Sequence, residues 1–413
     1  MKYRLKELCS ITKGATGIMK ADGGKYPLVA LGEERKQHSE YQFDAKAVIV
    51  PLISSTGHGH ASMKRVHYQE GKFALGNILC AVIPNDEKQL HPKYLHLYLQ
   101  QFKDSLLVPL MKGAANVSLP MNKLADVEIE VPSLERQLEI IELENEAAEL
   151  KNELEERLIA QDGDVAKLRQ AILREAMQGK LTKQDPNDGH AKDLLEKIKT
   201  DKAKSSKNEK PLPPIKSEEI PFDIPENWVW CRIDDIFHFT NGKAHEQFVA
   251  EEGEYILINS RFVSTSGKAI KYSKELLTPL STNDIAIVMS DVPNGRALGR
   301  TFLVDKNDYY TLNQRIGGLR ALGNSNPQYL CFVIDRNKHF LSFDDGKKQT
   351  NLKKEQITSC PIPLPPISEQ NRIVKRIEQL NQLCDELQYS IQQSKIENEK
   401  LLQGALRDSI KHK

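Results

Sequence analysis

The chain has 413 residues, 39% apolar and 28% charged, with 58 lysines and arginines against 57 aspartates and glutamates. That length predicts two to four domains, and the near-neutral total excludes a simple polycationic nucleic-acid coat while leaving room for local basic faces. No apolar run approaches the roughly 20 residues that span a bilayer, the opening MKYRLKELCSITKG has no signal-peptide core, and six scattered cysteines without a CxxC pair predict reduced, packing thiols in a cytoplasmic protein.

Residues 1–131 read as a mixed α/β domain. Ala47-Val48-Ile49-Val50 and Ile78-Leu79-Cys80-Ala81-Val82-Ile83 are short apolar runs that predict buried strands, and Pro92 to Phe102 predicts a short helix. Between them, SSTGHGHASMKR carries His58, His60, Lys64 and Arg65, and KGAANVSL carries Lys112. Ser, Thr and Lys suit phosphates and Arg suits guanine edges, so these are candidate nucleic-acid contacts. The plainer reading of each is a solvated loop charge. His58-x-His60 with His67 lacks a Cys or carboxylate at ligand spacing, so no metal is predicted.

Residues 132–181 predict one long helix. Ser133 to Gly179 contains no proline, Pro132-Ser133 gives a start and Gly179 a stop. At ~1.5 Å per residue such a helix is about 70 Å long. Asp162-Gly163-Asp164 lowers helix propensity at its middle, which allows a kink. Residues 182–228 predict a linker. Lys197, Lys199, Lys202, Lys204, Lys207 and Lys210 punctuate a polar stretch that ends in Pro211-Leu212-Pro213-Pro214, a composition unsuited to a core. The lysines are either solvated or touch a phosphate backbone.

Residues 229–363 predict a second α/β domain, with Ile285-Ala286-Ile287-Val288-Met289 as a buried strand and Pro327 to Ile334 as a helix. Its polar loops hold Arg261, Lys268 and Lys271, then Asn294, Arg296 and Arg300, then Gln314 and Arg315, then Lys347 and Lys348 in GKKQTNLKK. Asn and Gln suit adenine edges. Residues 364–413 predict a second long helix. Its seam runs Ile373, Ile377, Leu380, Cys384, Leu387, Ile391, Ser394, Asn398, Leu401, Ala405, matched in the first helix by Leu154, Leu158, Gln161, Val165, Leu168 and Ile172. Ile140, Leu143 and Leu150 fall off this seam. Extra apolar residues there predict a partner surface.

These segments are two copies of one unit. Arg4, Leu5, Leu8, Thr12 and Gly14 recur as Arg232, Ile233, Ile236, Thr240 and Gly242. Pro92, Tyr94 and Leu95 recur as Pro327, Tyr329 and Leu330. Val131-Pro132-Ser133-Leu134 and Gln137 recur as Leu364-Pro365-Pro366-Ile367 and Gln370, and Lys167, Leu168, Gln170, Leu173 and Arg174 as Lys400, Leu401, Gln403, Leu406 and Arg407. The spacing drifts through the middle of each copy and is constant over its tail. A variable part on a length-locked helix predicts a recognition domain held on a ruler. The chain order predicts antiparallel helices and approximate two-fold symmetry.

GxxxxGK[ST], GxGxxG, GxSxG and HExxH are all missing from the sequence, as is the Asn-Pro-Pro-aromatic tetrad of amino-methyltransferases. The chain is similar over nearly its whole length to the specificity subunit of bacterial type I restriction-modification systems. The likeness rests on VPSLERQLEII and LPPISEQNRIV, on KLRQAILREAMQGKLTKQDPNDGHAKDLLEKI, and on IPENWVWCRIDDIF. It implies an α+β (mixed) fold with two target-recognition domains joined by two long helices in an antiparallel coiled coil. It implies double-stranded DNA as ligand, two methylation subunits and restriction subunits as partners, and no chemistry in this chain. S-adenosylmethionine, ATP and Mg would belong to those partners. Two rivals stay open: a methyltransferase–nuclease remnant, which needs an S-adenosylmethionine motif, and a coiled-coil scaffold, which leaves the paired loop-rich domains unexplained.

Overall fold

The structure, a computed structural model, describes residues 1–17, 23–56, 59–114, 116–205 and 212–411. The chain forms two compact units. Unit 1 is Met1–Ala160 with Ile391–Lys413, and unit 2 is Gln161–Ser390.

In unit 1 a four-stranded antiparallel sheet runs in the order Cys9–Lys13, Leu79–Pro84, Ala47–Pro51, His67–Gln69. A second sheet runs Lys36–His38, Tyr26–Val29, Lys72–Leu75, Phe43–Asp44, with its middle pair parallel. Ala47–Pro51 is buried along its whole length, which is why it reads as an unbroken apolar run rather than an alternating one. Helix Pro92–Leu106 turns Tyr94, Leu95, Tyr98 and Leu99 into the same core, which extends to Ile140 and Ile141 of the long helix and to Ile410.

Unit 2 repeats the strand order of the first sheet, while its second sheet has the parallel pair at one edge rather than in the middle. Its first sheet runs Phe237–Asn241, Ile316–Ala321, Ile285–Val288, Thr301–Leu303. Its second runs Val249–Ala250, Tyr272–Ser273, Tyr255–Ile258, Tyr310–Leu312, again with one parallel pair, Tyr255–Ile258 with Tyr310–Leu312. The expected strands and short helices are present in both copies.

The duplicated sequence stretches fasten each domain to its helix. Gln137 is fully buried. Its Oε1 accepts from His91 N at 2.8 Å, and its Nε2 donates to Gln89 O at 2.9 Å and Pro132 O at 3.0 Å. Gln370, also fully buried, accepts from Asn326 N at 2.8 Å and donates to Pro365 O at 2.8 Å. Tyr94 donates to Glu130 O at 2.9 Å and Tyr329 to Pro363 O at 2.8 Å. Strand pairs Lys2–Arg4 with Glu128–Glu130, and Val229–Arg232 with Pro361–Leu364, complete each base.

The long helices span Leu134–Met177 and Ile367–Lys411. The first continues through Asp162-Gly163-Asp164. It ends where expected: Gly179 has φ +68°, its N–H donates to Ala176 O and that of Lys180 to Glu175 O, as in glycine-terminated helices. Within each unit the helices are antiparallel. In unit 1 Arg136 donates to Ser409 O, while Leu154 and Leu158 flank one small cavity with Asn398 and Leu402. In unit 2 Arg169 donates to Asp385 at 2.6 Å, and Gln184 and Thr182 to Glu369.

Three expectations need correction. First, the seam slips by one residue near its end. Leu401 is 69% exposed, and Leu402, Leu406 and Ile410 are the covered positions instead. A straight helix drifts about 20° per heptad from a 3.5-residue repeat, and four heptads from Ile373 accumulate nearly one residue. Leu168, Leu387 and Gln161 are exposed too. Second, Ile140 is 1% exposed and packs in the unit 1 core, so it is withdrawn from the partner-facing set. Its match to Ile373, already placed in the seam, carried that information. Third, residues 182–228 are more than a linker. Ala191–Ser205 is a helix whose Ala191, Leu195 and Ile198 are buried, a stripe too narrow to lift the mean apolarity of a polar segment. Lys199 pairs with Asp235 and Lys202 with Asp234. Arg232 grips Pro213 O, Glu219 and Ser359 O, and its guanidinium holds the Glu219 carboxyl down to about 2.

All six cysteines are free and buried. Burial pushes the Cys9 and Cys80 thiols up to about 12. Among the described residues no helix is long and apolar enough to cross a membrane, and no cluster of three His, Cys, Asp or Glu could hold a metal.

Candidate nucleic-acid interface

Each domain gathers three loops at one backbone junction. In unit 2 the junction is Met289, directly after the buried strand Ile285–Val288. Its N–H donates to Arg315 O at 3.0 Å, and its carbonyl accepts from Leu352 N at 2.7 Å. In unit 1 the junction is Leu52, directly after Ala47–Pro51. Its N–H donates to Ile78 O at 2.9 Å, and its carbonyl accepts from Leu119 N at 2.8 Å. The same three loops therefore leave from the same point in both copies: the one after the central strand, the turn before the longest strand, and the one near the domain's end.

Neighbouring contacts brace this junction. The duplicated Gly14 and Gly242 lie so close to the turn before the longest strand that a Cβ would sit 2.2 Å from Gly76 O and 2.0 Å from Asn313 O. Ser290–Asp291 pairs with Thr350–Asn351. The Asp291 carboxylate accepts from Val292 N, Ala297 N and Leu298 N, which fixes the loop that carries Asn294 and Arg296. Asn294 has φ +56° and its amide donates to Gly346 O at 3.4 Å, joining this loop to the one with Lys347 and Lys348. In unit 1 hydroxyls do the bracing. Ser54 Oγ donates to His60 O, Thr56 and Ser62 share a 2.8 Å hydrogen bond, and Ser55 Oγ accepts from Lys64 N. Ser54 N–H donates to Val117 O, which joins this loop to the one with Lys112.

The structure thus brings His60, Lys64 and Lys112 together on one face, and Asn294, Arg296, Arg315, Lys347 and Lys348 on another, all of them exposed. His58 lies outside the described residues. Arg65 is committed to Glu33 at 2.8 Å and holds that carboxyl below its usual range. Arg300 leans on Asp335 at 3.6 Å, and Gln314 donates to Glu246 at 3.0 Å, so both are partly satisfied within the chain. Arg261 sits on the short helix Ser260–Ser264, while Lys268 and Lys271 follow it; all three are exposed, away from the Met289 junction in sequence. Under the unit 1 face His67 is buried, its Nε2 without a hydrogen-bond partner among the described residues. Burial, then Arg35 and Arg65, push it down to about 4.

Two exposed residues escaped the reading of the sequence. Asn77 occupies the turn Gly76-Asn77-Ile78, the structural counterpart of Asn313-Gln314-Arg315, and Lys243 follows Gly242 with its N–H on Leu312 O. The duplicated glycines pointed at both places, but the drift in spacing hid the match.

A family model described as the type I restriction modification DNA specificity domain matches residues 1–161 and again 225–398. The chain is 32% identical over 256 residues to the EcoAI type I restriction enzyme specificity subunit of Escherichia coli, covering 58% of this chain and 43% of that protein. It is 22% identical over 428 residues to the EcoDI specificity subunit of Escherichia coli, covering 99% of this chain and 88% of that one. The alignment thus spans less than half of the first relative's length. The HsdS subunit of Thermoanaerobacter tengcongensis shares the fold, with a TM-score of 0.53 at 16% identity over 99% of this chain and 96% of that one. So does a chain from a structure on complex assembly and conformational transition of the type I R-M system, with a TM-score of 0.51 at 16% identity over 99% and 97% of the chains. With the specificity domain matched twice, once on each loop-bearing domain, the chain belongs to the family of type I restriction-modification DNA specificity proteins.

Proposed function

We propose that this chain is the DNA-reading subunit of a type I restriction-modification complex and carries out no chemistry itself. Each domain reads one half of a bipartite, asymmetric double-stranded site. The observation that supports this is the duplicated three-loop platform, braced by backbone and hydroxyl contacts and bearing exposed Lys, Arg, Asn and His at Leu52 and at Met289. Loops of this kind let the sequence vary while the scaffold stays rigid. Lysines meet phosphates and fix register, whereas Asn and Arg read base edges in the major groove.

On this reading two methylation subunits bind the long helices and bring S-adenosylmethionine and adenine methylation. Restriction subunits bring ATP, Mg and cleavage. The whole assembly works in the cytoplasm, where the DNA is. Leu143 and Leu150, at 45% and 61% exposure and seven residues apart on one helix face, are the surface for the methylation subunits. The domain boundaries that follow are 1–131 and 229–363 for the readers, 132–181 and 364–413 for the helices, and 182–228 for the connection.

The test is a domain exchange. Replacing residues 1–131 with the corresponding domain of another family member should change one half of the methylated motif, as read by methylome sequencing, and leave the other half intact. A change in both halves, or methyl transfer by the purified chain alone, would refute the proposal.

A further inference from the structure

Unit 1 contains a cavity of about 550 Å³ where the base of the domain meets the start of the first long helix. Tyr94, Arg136, Ile140 and Ile410 line it, with the pair Lys2 and Glu130, 3.8 Å apart, on its wall. Its size falls in the range of ligand pockets. The repeat places Tyr329, Glu369 and Ile373 at the matching positions of unit 2.

In unit 2 that site is occupied by the chain itself. Glu369 is fully buried. Its Oε2 accepts from the indole Nε1–H of Trp228 at 2.8 Å, and its Oε1 accepts from Gln184 at 2.5 Å and Thr182 at 3.2 Å. Trp228 is itself 3% exposed. It directly precedes the strand Val229–Arg232, the counterpart of Lys2–Arg4. An aromatic side chain with hydrogen-bond donors beside it is therefore the occupant this wall accepts when the helix presents a carboxylate.

In unit 1 the helix presents the opposite sign. Arg136 stands where Glu369 stands in the other copy, and the following pair is reversed as well, Glu139 for Arg372. Arg136 donates to Glu139 and to Ser409 O, which uses two of the five N–H groups of a guanidinium. The remaining donors call for a carboxylate. Resting on the functional reading for the partner's identity, we propose that this cavity is a socket for a segment of the methylation subunit that bears an aromatic side chain next to a carboxylate.

The test uses the full chain with labelled isoleucine methyl groups and two probes, indole-3-propionate and tryptamine. Indole-3-propionate should shift the Ile140 and Ile410 methyl signals saturably and bind at least tenfold tighter than tryptamine. Arg136→Gln should erase that preference, and Arg136→Glu should reverse it, with circular dichroism confirming the fold of each variant. No shift, or equal binding of both probes, overturns the proposal. In a second arm the purified methylation subunit is added and assembly is followed by size-exclusion chromatography. The assembled complex should shift the same two methyl signals and exclude indole-3-propionate. A complex that forms and still admits the probe overturns the socket while sparing the functional reading. A failure to assemble refutes the functional reading, and the proposed occupant with it.

Discussion

Replacing Gln137 with leucine should loosen one reader and spare the other. The buried side chain makes three hydrogen bonds in the base of unit 1, to His91 N, Gln89 O and Pro132 O. At about 1 kcal/mol net for each bond, and more where an orphaned group stays unhydrated, Gln137→Leu should cost about 3 kcal/mol. Gln370 makes two such bonds, to Asn326 N and Pro365 O, so Gln370→Leu should cost about 2 kcal/mol. The unfolding of a two-unit chain is not one transition, so the readout must be local. Native-state hydrogen exchange supplies it. Amides of Ala47–Pro51 should lose protection on the order of 100-fold in Gln137→Leu, while those of Ile285–Val288 stay within threefold, and Gln370→Leu should do the converse at roughly 30-fold. A loss spread equally over both strands, or below threefold in the strand concerned, would show that the glutamines do not fasten the domains separately.

Leu143→Glu and Leu150→Glu should leave circular dichroism and melting unchanged, because both residues are exposed, yet abolish co-elution with the methylation subunit; a folded variant that still co-elutes counts against that surface. Lys347→Ala together with Lys348→Ala should weaken DNA binding for all sequences alike and lower the slope of log K against log salt by about 1 to 2 units; lost discrimination between sequences at an unchanged slope would instead assign these lysines to base reading. His67, held down to about 4 by burial and by Arg35 and Arg65, favours the fold in its neutral form. Its contribution is complete above about pH 6.5 and is lost as pH falls through 4, so unit 1 should destabilise over that window, and His67→Gln should make the decline shallower. An unchanged pH profile in His67→Gln would exclude the histidine as its source.

The architecture was largely legible because it is written twice. Collinear matches such as HPKYL with NPQYL established the duplication, and the structure shows what they do: each places a helix start against a buried glutamine. The seam was legible as a period but not in its final register, since small drift per heptad accumulates invisibly until Leu401 and Leu402 trade places. The helix Ala191–Ser205 was hidden because three buried residues among many lysines do not change a composition. The loops were legible as polar, but their convergence on Leu52 and Met289 depends on backbone hydrogen bonds between strands far apart in sequence. No side-chain pattern encodes those bonds. Asn77 shows the cost: a lone asparagine in a short turn, ordinary in sequence, becomes a counterpart of Gln314 only once both turns are seen beside the same junction.

The six buried thiols give the molecule a practical property. With every native thiol enclosed, and those of Cys9 and Cys80 pushed up to about 12, maleimide chemistry near neutral pH has little native thiolate to attack. A cysteine introduced at an exposed loop position away from the candidate DNA-contacting faces, for example Glu34→Cys in one domain and Glu252→Cys in the other, would then be the preferred site of modification without removal of any natural cysteine. Paired dyes at those two positions would test the proposed reading of a bipartite site as a single-molecule distance signal, recorded on a protein whose packing has been left as it is.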